Sequence, residues 1–280
     1  ADSLSDLSLH ITGTVYATGA QTVSGSLEAL LAVSGDTVGG TGDADGVVLL
    51  QTVTYALDAK DDLSVLADSL SALSGRTAGV VDASAADTVR GTVGALLALA
   101  ADSVGTGDTD GGVVLKPAVT VQVLLPADGA MPEGAVAAQA LLDVDAVGAF
   151  GRVDARAGTT IGGSMAQLLG VDSLADVGTA LTLSGAHAFV LKQGEGEAGV
   201  SVRADDVLEL SDQTTGLVDV NEADTVVGSL DQMVSLRGQD VGNQVAFADS
   251  VSVVVINVGD VRADSLSDLS LHITGTVYAT

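Results

Sequence analysis

Apolar residues along this chain change period inside one short motif that occurs four times. Behind Gly79, Val81 and Ala83 alternate with their neighbours, which predicts a short strand. Val89, Val93, Leu96 and Leu97 then recur at i, i+4, i+7 and i+8, the spacing of one helix face. The same set is Val23, Leu27, Leu30 and Leu31, then Ile161, Met165, Leu168 and Leu169, then Val226, Leu230, Met233 and Val234. Thr22, Thr88, Thr160 and Thr225 open these stretches and are expected N-caps, whose hydroxyls can accept from free N–H groups of the first turn. Gly25, Gly91, Gly163 and Gly228 fall three positions further on, where glycine costs about 1 kcal/mol against alanine in a helix interior. Close packing against a neighbouring coil is the expected reason for keeping them.

Each predicted helix is followed by a glycine- and aspartate-rich loop and then a long β-favouring run. The runs are 46–57, 112–125, 180–192 and 245–258, each long enough for one extended strand or a hairpin. An ADSLSDLS-like element, expected as a short helix or turn, leads to the next G-x-V strand. The resulting β-α-β-(α) order predicts an α/β fold with parallel strands. Half-units of about 33 residues would stack as a repetitive solenoid of short strands and helices, each coil touching its neighbours. A β-sandwich with inserted helices is the alternative if the long runs fold as hairpins.

The motif recurs over 13–33, 79–99, 151–171 and 216–236. Its second half opens at Thr22, Thr88, Thr160 and Thr225, and the second of these three intervals is the longest. Residues 1–18 and 263–280 are identical (ADSLSDLSLHITGTVYAT), an offset of 262. The chain is therefore expected to hold one long tandem period, 1–262, made of four quasi-repeats at about 13–78, 79–150, 151–215 and 216–274, with 263–280 starting the next. The longer second interval contains LPADGAMPEGA at 125–135, which reads as a tolerated surface loop or as a protruding contact site.

Charge narrows the range of partners. The chain has 37 acidic against 10 basic residues, a net charge of −27, so nucleic acid and anionic membranes are excluded as expected partners. Of the acids, 31 are Asp and six are Glu, which favours turns and caps over solvated helix faces. Six aromatic residues and no tryptophan leave the interior to Ala, Val and Leu, unlike an aromatic-lined substrate pocket. No apolar run reaches the ~18 residues of a membrane span. Cysteine is absent, which excludes disulfides and thiolate metal sites.

Catalytic chemistry finds little material. His10 and His272 are one position of the repeat, and His187 shares no motif with them, so a Ser-His-Asp arrangement has nothing to build on. Glu195 and Glu197 share one glycine-rich loop, whereas glycoside hydrolysis needs carboxyls facing each other across a sugar. The loops at 39–46 and 105–112 lack the Lys-Ser/Thr of a phosphate cradle. Asp43 and Asp45, with Asp108 and Asp110, could present several oxygens to a calcium ion, and they are the candidate metal ligands. The competing reading is an Asp-Gly turn feeding a strand. No catalytic residue and no other cofactor is expected, and the chain reads as a non-enzyme.

The segments DTVRGTVGALLAL (87–99), DTVVGSLDQMVSL (224–236) and, less closely, QTVSGSLEALLAV (21–33) resemble repeats of very large secreted bacterial surface and adhesin-like proteins. That resemblance implies an extracellular or cell-surface location and extended, often calcium-stiffened rods that act in adhesion or matrix building. The expected function is a structural repeat segment of an extracellular filament, stalk or surface fibre, with other repeats and neighbouring filaments as partners. The alternative is a spacer in a large repetitive adhesin.

Overall fold

The computed structural model describes residues 14–35, 46–58, 63–103, 111–125, 135–176, 180–192, 199–241, 244–248, 250–256 and 276–279. Contacts divide the chain into two compact units. Unit 1 is Ala1–Leu124 with Val144–Asp154, and unit 2 is Leu125–Asp143 with Ala155–Thr280. The described elements, in chain order, begin β1 (Thr14–Tyr16), β2 (Thr22–Gly25), α1 (Leu27–Gly35), β3 (Gly46–Val48), β4 (Thr54–Leu57), β5 (Ser64–Leu66) and α2 (Ala67–Ser74). Next come β6 (Val80–Ala83), β7 (Thr88–Gly91), α3 (Val93–Asp102), β8 (Gly112–Leu115), β9 (Thr120–Val123), β10 (Ala135–Ala137), α4 (Ala138–Ala146) and β11 (Arg152–Asp154). Then follow β12 (Thr160–Gly163), α5 (Met165–Asp176), β13 (Leu181–Thr182), β14 (Ala188–Leu191), β15 (Ser201–Arg203) and α6 (Ala204–Gln213). The last are β16 (Val218–Asp219), β17 (Thr225–Gly228), α7 (Leu230–Val241), β18 (Val245–Ala246), β19 (Ser252–Val255) and β20 (Val277–Ala279).

Tight corners set the coils. In unit 1 the backbone N–H groups of Ala20, Val53, Ala86 and Val119 donate to the carbonyls of Ala17, Leu50, Ala83 and Lys116, so the corners recur at equal intervals along the chain. In unit 2 the same i to i+3 bond closes Ala155–Gly158, Ser184–His187, Val220–Ala223 and Ala248–Val251. Asp82 and Asp219 reinforce two corners, each accepting from the N–H two residues on, Ser84 and Asn221, at 3.0 Å. A short acidic side chain can make that bond and a longer one cannot make it as well, which accounts for part of the aspartate surplus.

Strands of successive coils pair in parallel. Unit 1 holds a β1-β3 pair, a sheet in the order β2-β4-β6-β8, and the sequence of neighbours β5-β7-β9-β11. Unit 2 holds a five-stranded sheet, β10-β12-β14-β16-β18, and a four-stranded one, β15-β17-β19-β20. Each unit is thus α/β, with parallel strands and helices alternating in a solenoid-like repeat. Coils alternate in content. After the corner come one strand and a helix (β2-α1, β7-α3, β12-α5, β17-α7) or two strands and a helix (β4-β5-α2, β14-β15-α6).

Register aligns one large apolar side chain per coil. The columns are Val23-Tyr55-Val81-Val113 and Val65-Val89-Val121-Val153 in unit 1. In unit 2 they are Val136-Ile161-Phe189-Val218-Val245 and Val202-Val226-Val253-Val277. All but Val277 are at most 5% exposed, and each such side chain contributes roughly 1.5–3 kcal/mol of burial. Helices cover the columns: α2 packs between α1 and α3, and α6 between α5 and α7. The three described elements of the ADSLSDLS kind, α2, α4 and α6, each bury one stripe: Ala67, Leu70 and Leu73; Ala138, Leu141 and Val144; Ala204, Val207 and Leu210.

Two expectations about local structure change. The long runs are neither single strands nor hairpins. In 46–57 and 112–125 the run is strand, corner, strand (β3-β4, β8-β9), and each strand pairs in parallel with a different coil. The runs at 180–192 and 245–258 have the same strand-corner-strand form (β13-β14, β18-β19), which removes the β-sandwich alternative. The second change concerns Thr22, Thr88, Thr160 and Thr225. They begin strands β2, β7, β12 and β17, so they are not helix caps, and Gly25, Gly91, Gly163 and Gly228 end those strands. The helices start later, and their buried stripe keeps Leu30, Leu96, Leu168 and Met233 of the expected face and adds Val33, Leu99, Val171 and Leu236.

Candidate functional site: the joint between coils

The glycine that closes β7, β12 or β17 meets the first helical residue of the preceding coil. A Cβ built on Gly91 would lie 3.0 Å from Ala67 Cβ, one on Gly163 2.9 Å from Ala138 Cβ, and one on Gly228 2.6 Å from Ala204 Cβ. Carbon atoms normally approach no closer than about 3.5 Å, so only glycine fits. The expected close packing is therefore real, but its place is a strand end and its partner is an alanine methyl. Ala1 stands as far ahead of Gly25 in the sequence as Ala67 does of Gly91, and it lies outside the described residues.

The next residue caps the helix. Thr92 Oγ1 accepts from Ala95 N at 3.3 Å, and Ser26 Oγ accepts from Ala29 N at 3.2 Å. Ser164 and Ser229 form reciprocal boxes: Gln167 N and Gln232 N donate to the serine hydroxyls at 3.4 and 3.2 Å. In return Ser164 N and Ser229 N donate to the glutamine side-chain oxygens at 2.9 and 2.8 Å. The S-x-x-Q spacing at 164–167 and 229–232 was a readable signal for these caps.

A second joint sits where each helix of the ADSLSDLS type returns to a strand. Thr77 Oγ1 lies 2.8 Å from the Val53 carbonyl and accepts from Gly79 N at 2.9 Å. Thr214 repeats this, donating to the His187 carbonyl and accepting from Gly216 N at 2.9 Å. Gly79 and Gly216 are glycine for steric reasons, since a Cβ would come within 2.6 Å of the Thr52 carbonyl oxygen and 2.8 Å of that of Ala186. Cross-coil polar bonds finish the joint. Arg76 donates to the Leu31 carbonyl in the middle of α1 at 2.9 Å, and Gln244 donates to the Ser211 carbonyl in the last turn of α6 at 2.8 Å.

His187 is 3% exposed at a unit 2 corner, edge-on to Phe189 with ring centroids 4.6 Å apart. Its Nδ1 bonds the Ser184 carbonyl, which makes Nδ1 the donor and leaves Nε2 buried without a partner. Burial pushes its pKa below the ordinary histidine value, opposed by the Ser184 bond. On the surface, Lys116 bonds Asp87 at 2.7 Å and holds that carboxyl below its usual range. Asp224, at the same motif position as Asp87, instead accepts from Gly199 N and Val200 N at 3.0 Å.

Asp43, Asp45, Asp108 and Asp110 lie outside the described residues, as do His10, His272, Glu195, Glu197 and most of the 125–135 loop. Directly after Asp110, Gly111 adopts a φ of +86°, and Gly112, the first residue of β8, a φ of +92°. Among the described residues no three His, Asp or Glu side chains converge as a metal cluster. An open depression of about 500 Å³ in unit 1 is lined by Ser71, Ser74, Thr77 and Asp102 among others, one carboxylate and three hydroxyls with no basic side chain. No described helix is long and apolar enough to cross a membrane.

Fold and joints together define a class: a parallel α/β solenoid repeat whose repeated chemistry is steric and hydrogen-bonding fit between coils. No protein-family model, curated protein or solved structure matches the chain.

Proposed function

We propose that this chain is a structural repeat segment of an extracellular filament or stalk, working by stacking repeats end to end. The observation that carries the reading is the repeated joint: the same corner and the same apolar column recur from coil to coil, and the same glycine-alanine contact at every second coil. Such a device lengthens a protein without a new fold, because each coil offers the next one the surface it was itself built on. The net charge of −27 suits a fibre surface that repels its neighbours at low salt and lets them approach when screened or bridged by cations. Other copies of the repeat are the partners on this reading.

Electron microscopy of native material tests it. Eight coils stacked at the ~4.8 Å strand spacing would advance about 40 Å per long period. An advance near twice that value would overturn a single continuous solenoid, and isolated globules would overturn the filament reading as well. Near-pure repeats throughout the gene favour a filament, whereas a distinct terminal binding domain would favour an adhesin spacer.

A further inference from the structure

The sheets of unit 2 differ in one respect that the repeat explains. Among the described residues one has five strands, and the other, β15-β17-β19-β20, has four. Unit 1 contains a two-stranded remnant, β1-β3. β20 and β1 occupy the same stretch of the repeat: Val277 and Tyr278 are the copies of Val15 and Tyr16. β20 pairs on one side with β19, and β1 pairs with β3.

These pairings use opposite edges of one strand. The Thr276 carbonyl accepts from Val253 N at 2.9 Å, and Thr276 is the copy of Thr14. Ala17 N donates to the Val48 carbonyl at 2.9 Å, and its copy is Ala279. Thr14 and Ala17 are three positions apart, and neighbouring residues of a strand turn their N–H and C=O groups to alternate edges. A single strand can therefore hold β19 on one edge and β3 on the other.

The side chains agree. Val277 is in register with Val253, and Val15 with Val47, so joining the two sheets yields Val202-Val226-Val253-Val277-Val47, an apolar column of five like that of the five-stranded sheet. Val277 and Val15 are only partly buried, whereas Val253 and Val47 are 3% and 0% exposed. On the outer face Tyr278 lies beside Val254 and Tyr16 beside Val48. Each ring is now more than half exposed, and the joined sheet would flank it with valine on both sides.

We infer that the open edge of β20 is the docking site for the Gly46–Val48 strand of a second copy of the 262-residue period, so that β20 serves as that copy's β1 and the sheet closes at five strands. This rests on the repeat-segment reading and names the partner and the edge.

A chain carrying two periods in tandem, compared with the 280-residue chain, tests it by hydrogen exchange. Ala17 N–H, bonded in both, is the internal standard. In the 280-residue chain Ala279 N–H should exchange freely, and in the two-period chain it should slow at least about a hundred-fold. Equal exchange at Ala279 in the two chains would overturn the inference. As a second measurement, Ala279→Pro removes the N–H from the open edge, which a central strand does not tolerate. It should leave the melting of the 280-residue chain unchanged and make the two-period chain melt in two separate steps. The same effect on both chains, or none on either, counts against the docking site. Protection at Ala279 with globular native material would sink the filament reading and keep the junction, and filaments with an unprotected Ala279 would do the reverse.

Discussion

Replacing Gly228 by alanine isolates the steric part of the joint. The new Cβ would sit 2.6 Å from Ala204 Cβ, 2.9 Å from Gln232 Oε1 and 3.3 Å from Met233 Cε. Gln232 can swing its side chain aside at the cost of its bond to Ser229, but the Ala204 methyl is carried by the α6 backbone and is fully buried. Restoring an ordinary carbon contact requires coil and helix to part by about 1 Å. Overpacking of this kind costs about 1–3 kcal/mol. Gly228 is not in the left-handed region, so backbone strain does not enter. Urea unfolding monitored by circular dichroism should show that loss for Gly228→Ala. Gly238→Ala, at an open and exposed position of α7, should gain up to about 1 kcal/mol. The decisive comparison is the double variant Gly228→Ala with Ala204→Gly, which removes the clashing methyl. Its loss should fall well short of the two single losses added together. A Gly228→Ala protein as stable as wild type, or strictly additive losses, would refute the account of why glycine stands there.

Ser229→Ala should cost about 1 kcal/mol in the same assay by removing the hydroxyl that accepts from Gln232 N, while the residue 229 N–H keeps its bond to Gln232 Oε1, and a loss under a few tenths would show that α7 does not depend on that cap. His187 titrates lower in the folded chain than the ordinary value of 6.5. Between those two values the unfolded chain holds more protons, so stability should fall as pH drops through and below about 6.5 and level off once the folded value is passed. His187→Phe should remove that component, and an unchanged pH profile would contradict it. If 39–46 and 105–112 are Asp-Gly turns, a calcium chelator should leave the melting temperature unmoved, whereas a fall of several degrees would assign a cation to Asp43, Asp45, Asp108 and Asp110.

The α/β solenoid class was legible because its signals are local: Gly-x-V alternation and an amphipathic stripe recur within each repeat unit, whereas the corner inside each long run was not read. The strand-to-helix boundary was not. Val89 is four positions before Val93, so a buried strand residue and a helix residue share the helical spacing, and only pairing of β7 with β5 and β9 decides the first as strand. The short strands β5, β10 and β15 were invisible for a related reason. Ser64–Leu66 or Ser201–Arg203 is too short to carry a period and exists because β7 or β17 pairs with it. At the joint, glycine was noticed but its partner was not, because Ala67 and Gly91 belong to successive coils and no single-sequence pattern links them.

The alternation of one-strand and two-strand returns after successive corners has a genetic consequence. Removing a single coil such as β6-β7-α3 would place two like coils in succession and bring β9, which carries Val123 where β7 has Gly91, against the Ala67 methyl. Removing or adding a pair returns every remaining strand to a neighbour of its own kind. Unequal crossing-over within such a gene should therefore be tolerated best when coils are gained or lost two at a time, so that repeat lengths should differ by whole pairs of coils.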